Sequence, residues 1–288
     1  MNRSLNFYFP SIEKGGLEKN VFSLINSLAE KNYKINFFTY EDSTKNKEFN
    51  KKFIFHKNIK VITADFIPGL NHRYIKYFFC FIRLFLFTLN SKRLIVSFQG
   101  NVLPIIVAKI TGRKIIIRCN TAPSKYINSP LKKIFFKFFY SFSDMILVTT
   151  LDFKREIKKY FGLNSFVHRQ SLDISDIKRK SKEKIDFKFF KNFNGLKIIN
   201  IGRLTYQKDQ ITLLKAFAKL IKFRKARLLL LGSGGDYDNL VNFIKKKKIN
   251  KFVKNIPYTP NPFKYISLCI IKILSSRFEG SPNILLET

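Results

Sequence analysis

The chain has 288 residues, 45% of them hydrophobic, and a formal net charge of +35. Two domains of ordinary size fit that length, and that apolar content excludes wholesale disorder. The three cysteines, Cys80, Cys119 and Cys269, and the three histidines, His56, His72 and His168, show no CxxC and no metal-ligand spacing, which argues against a disulfide framework or a zinc site.

In chain order, short apolar strands alternate with amphipathic helices. The pattern predicts a weak strand at Asn6–Phe9, then the glycine pair Gly15-Gly16, then a helix carrying Leu17, Val21, Leu24, Ile25 and Leu28 at helical spacing. It goes on to predict strands at 34–38, 59–63 and 94–98, a helix at 102–110, a strand at 114–118, a helix at 132–142 and a strand at 145–148. The segment 173–194 is charged, with Lys178-Arg179-Lys180 and Lys182-Glu183-Lys184, and lacks strand patterning. The domain boundary is placed there, giving 1–175 and 176–288. A second series follows: strands at 196–201, 226–231, 252–253 and 269–274, with helices at 211–223, 237–246 and 262–267. This alternation predicts parallel sheets of the Rossmann kind, with ligands at the carboxyl ends of the strands.

The charge has three readings: the composition of an AT-rich genome, attraction to an anionic membrane face, or nucleic-acid binding. No nucleic-acid reading module is recognisable, so nucleic acid is not expected as a partner. Two stretches mix aromatics with cations. Tyr74–Leu89 holds Phe78, Phe79, Phe81, Phe85 and Phe87, and 132–142 alternates Lys132, Lys133 and Lys137 with Phe135, Phe136, Phe138 and Phe139. Each reads either as a membrane-interface segment or as a core-facing helix with lysine at its rim. No signal-peptide core opens the chain, and the longest apolar stretch is too short to span a bilayer. The expected location is therefore the cytoplasm, peripheral on the inner face of the cytoplasmic membrane.

Four motifs carry chemistry, and three of them directly follow strands. Gly15-Gly16 is a turn able to approach a phosphate or sugar, or a plain helix start. Gly202-Arg203-Leu204-Thr205-Tyr206-Gln207-Lys208 sets two cations at a strand end, suited to a diphosphate or to a solvated loop. Gly232-Ser233-Gly234-Gly235 permits close backbone approach to a ligand, or forms a tight turn. Glu279-Gly280-Ser281-Pro282-Asn283 leads through Ile284-Leu285-Leu286 to Glu287. There, Pro282 suits a first helical position, and the free amides of a helix start suit an anion. Glu279 and Glu287 would bracket a ligand bearing both hydroxyls and phosphates.

Taken together, Gly-Gly, Gly-Arg-x4-Lys, Gly-x-Gly and Glu-x7-Glu resemble glycosyltransferase family 4, retaining enzymes of the GT-B fold with two Rossmann-like lobes. Arg118-Cys119-Asn120-Thr121-Ala122-Pro123-Ser124-Lys125-Tyr126 resembles a segment of bacterial members that build polysaccharide or lipid-linked glycans. The resemblance implies transfer of a hexose-type sugar, with retention, from a UDP- or GDP-linked donor to a glycan or polyprenyl-linked acceptor. Arg203 and Lys208 would hold the donor diphosphate in place of a metal, so no cofactor is expected. Glu287 would bind the ribose, and Gly232 would lie along the donor. Glu279 would hold the transferred sugar together with Gly280, Ser281 and Asn283. Gly16 would approach the donor phosphate, and Gly15, Arg118 and Asn120 would face the acceptor. Two departures stand out. Arg118 and Asn120 occupy the neighbourhood of a family histidine, and family members continue well past the second glutamate. The second lobe is thus expected to be incomplete, with the chain as given unstable or inactive alone. The alternatives are a non-catalytic remnant of such an enzyme, or a basic nucleic-acid-binding protein.

Overall fold

The computed structural model describes residues 3–12, 16–40, 55–65, 72–168, 174–279 and 283–286. The chain divides into two compact units, Met1–Ser171 and Leu172–Thr288.

The strands of the first unit are β1 (Ser4–Tyr8), β2 (Lys34–Thr39), β3 (Ile59–Thr63), β4 (Leu94–Ser97), β5 (Ile115–Cys119), β6 (Met145–Val148) and β7 (Phe166–Val167). They form one parallel sheet in the order β3-β2-β1-β4-β5-β6-β7. Helices α1 (Gly16–Glu30), α2 (Arg73–Leu89), α3 (Val102–Ile110), α4 (Pro130–Ser141) and α5 (Leu151–Phe161) connect them. Because strand side chains alternate, consecutive residues feed two separate cores. Phe7, Phe37 and Val96 pack with Val21, Phe22 and Ile25 of α1. Their neighbours Tyr8, Phe38 and Ile95 pack on the other face with Cys80 and Leu84 of α2 and Ile105 and Val107 of α3. That second face explains why strands that read as unbroken apolar runs need a helix on each side.

The second unit contains α6 (Ile174–Ser181), β8 (Leu196–Ile201), α7 (Gln210–Leu220), β9 (Ala226–Leu231), α8 (Tyr237–Lys246), β10 (Val253–Ile256), α9 (Phe263–Ile266), β11 (Ile271–Lys272) and α10 (Asn283–Leu286). Its parallel sheet runs β10-β9-β8-β11. The same alternation splits Ile198, Leu228 and Leu230 from Ile199, Leu229 and Leu231 into two cores.

One expectation is corrected, the length of the last strand, and two helices stand where no element was predicted. The charged segment after 173 holds a helix, α6, because Asp176 pairs at 2.6 Å with both Arg179 and Lys180 one turn on. The last strand is two residues long rather than six: Ile271 and Lys272 pair with Ile198 and Ile199, and the flanking amides of Ile270 and Ile273 donate to Lys197 and Ile199. α5 carries charge on most of its surface and buries Phe153, Ile157 and Phe161 along one face. Its ends are fixed by the Thr150 N-cap and by Gly162 in the left-handed region at φ 73°. On α2, Tyr77, Cys80, Leu84 and Thr88 form a buried stripe along one face, while Phe78, Leu86 and Leu89 are exposed. Among the described residues no helix is long and apolar enough to cross a membrane.

Candidate functional site

Both sheets share the order 3-2-1-4, in which the winding reverses beside the first strand. In open parallel sheets that reversal opens a crevice at the carboxyl ends. In the second unit it lies between β8 and β11, and the segments leaving these two strands carry Lys208 and Glu279. The structure brings the two together: Lys208 Nζ donates to Glu279 Oε1, and their side chains are only 16% and 20% exposed.

The backbone around them is laced. Arg277 N donates to the Gln207 carbonyl at 2.8 Å, Gln207 Nε2 to the Phe278 carbonyl at 3.1 Å, and Ser275 Oγ to the Lys208 carbonyl at 2.8 Å. Arg277 pairs with Asp209 at 3.1 Å and lies over the Tyr206 ring at 4.3 Å. Asp209 has left-handed backbone, φ 47° and ψ 49°, and caps α7 by accepting from Thr212 N and Thr212 Oγ1. Tyr206, Gln207, Asp209 and Arg277 lie within or beside the motifs, which gave none of them a role. Only the Asp209-x-x-Thr212 spacing, a helix-cap signature, pointed to any of them.

Gly232 and Gly234 have a structural role at this site. A Cβ on Gly232, at φ 151°, would stand 1.9 Å from the Gly202 carbonyl oxygen, and one on Gly234 would stand 2.2 Å from that of Leu204. The close backbone approach these glycines allow is therefore between the loops after β8 and β9. Gly202 N donates to Leu231 and Leu204 N to Ser233, which ties those loops further. Gly202 packs beside the Lys208 stem, where a Cβ would meet Lys208 Cδ and Cε at an ordinary contact distance of 3.5 Å. Arg203 is exposed, and its carbonyl accepts from the buried Gln210 side chain. Asn283 opens α10. Gly280, Ser281 and Glu287 lie outside the described residues.

In the first unit, Gly16 begins α1, and Gly15 lies outside the described residues. Arg118, on β5, is 2% exposed and stacks over the Phe98 ring at 5.3 Å. Burial pulls its guanidinium down to about 10. Asn120 donates to the Phe98 carbonyl at 2.7 Å, and Asn101 to the Arg118 carbonyl at 3.0 Å.

Residues 181–288 match the family model described as glycosyl transferases group 1. The match lies within the second unit. The two cationic and acidic partners at its switch point, Lys208 and Glu279, both fall inside it. An uncharacterized glycosyltransferase of Methanocaldococcus jannaschii is 30% identical over 159 residues, covering 53% of this chain and 39% of the relative. The N-acetylgalactosamine-N,N'-diacetylbacillosaminyl-diphospho-undecaprenol 4-alpha-N-acetylgalactosaminyltransferase of Campylobacter jejuni is 28% identical over 193 residues, covering 64% of this chain and 51% of the relative. The matches thus span 39% and 51% of the length of these curated relatives. Among solved structures, Anabaena HepE in complex with UDP and glucose matches with a TM-score of 0.71 at 15% identity, over 96% of this chain and 75% of HepE. The lipopolysaccharide outer core galactosyltransferase WaaB matches at 0.68 and 16% identity, over 99% and 77%. The two sheets and their helices therefore have the fold of GT-B glycosyltransferases.

Proposed function

We propose that the chain is a retaining glycosyltransferase of the family 4 type, moving a hexose-type sugar from a UDP- or GDP-linked donor to a glycan or polyprenyl-linked acceptor. The observation that carries this is the Lys208–Glu279 pair at the switch point of the second sheet. An incoming diphosphate replaces the carboxylate on Lys208, and the freed Glu279 turns to the sugar hydroxyls. With Arg203, Lys208 then supplies fixed positive charge where leaving-group charge develops. UDP and glucose bound to HepE support the donor class, and the undecaprenol-linked substrate in the name of the Campylobacter relative supports the acceptor class. The test is titration calorimetry with UDP and GDP on the wild type and on Lys208→Ala. One nucleotide should bind, and Lys208→Ala should weaken it at least tenfold. Equal binding by both forms would refute the assignment.

The same reading places the protein on an anionic membrane surface. α4 leaves Leu131, Ile134, Phe135 and Phe138 exposed on one stripe, with Leu131 79% and Phe138 56% accessible, and Lys132, Lys133 and Lys137 exposed around them. Of its residues only Tyr140 is buried. Apolar groups entering the headgroup layer beside lysines is the arrangement of an interfacial helix. Sedimentation with phosphatidylglycerol vesicles should show binding that salt weakens. Vesicles left unbound at low salt would remove this part of the reading.

A further inference from the structure

The first unit holds a buried arginine, two of whose N–H groups have no hydrogen-bond partner among the described residues. Arg118 Nε and Nη2 are both buried without a hydrogen-bond partner. These two N–H groups lie on one edge of the guanidinium and form the fork that grips two oxygens of a carboxylate or phosphate. Arg118 pairs in register with Leu147, and Leu147 with Phe166. Two residues further on, just past the ends of the three strands, come Asn120, Thr149 and His168. Each has an unsatisfied buried atom: Asn120 Oδ1, Thr149 Oγ1 and His168 Nδ1. Unsatisfied buried atoms on four side chains at neighbouring strand ends are unusual, because a buried polar group without a partner is destabilising. Asn120 and His168 are half-buried and carry the cluster outward from the buried fork.

We infer that Arg118, Thr149, His168 and Asn120 form an oxyanion site that recognises a phosphate or carboxylate on a hydroxylated acceptor. The guanidinium fork takes two oxygens of the anion. Thr149 Oγ1 donates a third bond, and Asn120 Oδ1 accepts from an adjoining sugar hydroxyl. Asn101 holds the Arg118 backbone, and Phe98 fixes the plane of the fork. The word acceptor rests on the transfer reading above; the anion chemistry rests on these residues alone.

The first measurement is the Arg118 Nε–H resonance in 15N-labelled protein, assigned by its loss in Arg118→Lys. Inorganic phosphate and glucuronate are titrated separately against chloride at equal ionic strength. A saturating shift with either one, persisting in Lys208→Ala, supports the site, and the probe that saturates at lower concentration identifies phosphate or carboxylate as the source. A resonance that neither probe moves, with nucleotide binding intact, overturns the site and leaves the donor reading standing. Loss of nucleotide binding with the Arg118 response retained would strike the donor reading alone. A second variant guards against a purely structural role. In phosphate-free buffer Arg118→Met should melt higher than wild type and lose the phosphate-dependent rise. A lower melting temperature for Arg118→Met, unchanged by phosphate, would show that Arg118 serves packing against Phe98 and would overturn the site.

Discussion

Lys208 and Glu279, 71 positions apart, meet as an ion pair beside the point where the second sheet reverses its winding. Each holds the other in a partly dehydrated place, so removing one leaves an unpaired charge. Lys208→Met and Glu279→Gln should each cost about 1–3 kcal/mol in denaturant unfolding. The double variant should cost less than the sum, since the two residues share one interaction. Strict additivity would mean that the pair does not form in solution. In a transfer assay Lys208→Ala should lower kcat roughly 100-fold or more, the scale for removing one preorganised charge from a developing anion.

Gly232 and Gly235 sit three residues apart but face different surroundings. Gly232→Ala would drive a Cβ into the Gly202 carbonyl from a backbone conformation that side chains rarely adopt. The expected loss is about 3 kcal/mol or more, by combined clash and strain. Gly235→Ala meets nothing within 4 Å and should change stability by no more than about 1 kcal/mol. Paired thermal melts decide it, and equal melting temperatures would contradict the loop packing.

Asp209 does two jobs from a left-handed conformation, capping α7 and pairing with Arg277. Asp209→Ala loses the cap, worth about 1 kcal/mol, and forces a Cβ residue without local hydrogen bonding into that region, at a further cost of about 1 kcal/mol. Asp209→Asn keeps the cap and tolerates the backbone, so urea unfolding should place it close to wild type and Asp209→Ala well below.

His168 gives the first unit an acid-sensitive limb. Burial, and then the Arg118 charge, lower its imidazole below the ordinary value of 6.5. On acidification the unfolded chain takes up this proton first, so stability falls as pH drops below about 6.5 and levels off once the folded imidazole also titrates. His168→Gln should flatten that limb in melts taken between neutral and mildly acidic pH. Arg118→Met should raise the imidazole titration seen by NMR. A titration unmoved by Arg118→Met would separate the two side chains.

Much of the fold was legible because parallel strands buried on both faces write themselves as short apolar runs. Ile59–Thr63, Met145–Val148, Leu196–Ile201 and Ala226–Leu231 stand in the structure with the predicted bounds. β11 was overestimated because an apolar run does not say how many of its amides find a partner at a sheet edge. α6 was hidden because its support is ionic, from Asp176 to Arg179 and Lys180, with no buried residue to set a period.

The sequence alone determined the alternation of strands and helices, the order of the glycine and charged motifs, and their positions just past strand ends. These depend on neighbours within a few residues, where steric and periodic rules act. Only the tertiary structure decided that Lys208 meets Glu279, that Gly232 is filled by the Gly202 carbonyl, and that the strand of Arg118 runs beside the one that ends at Thr149. Those relations come from strand order and register, and the burial that gives them energy exists only once distant segments have packed.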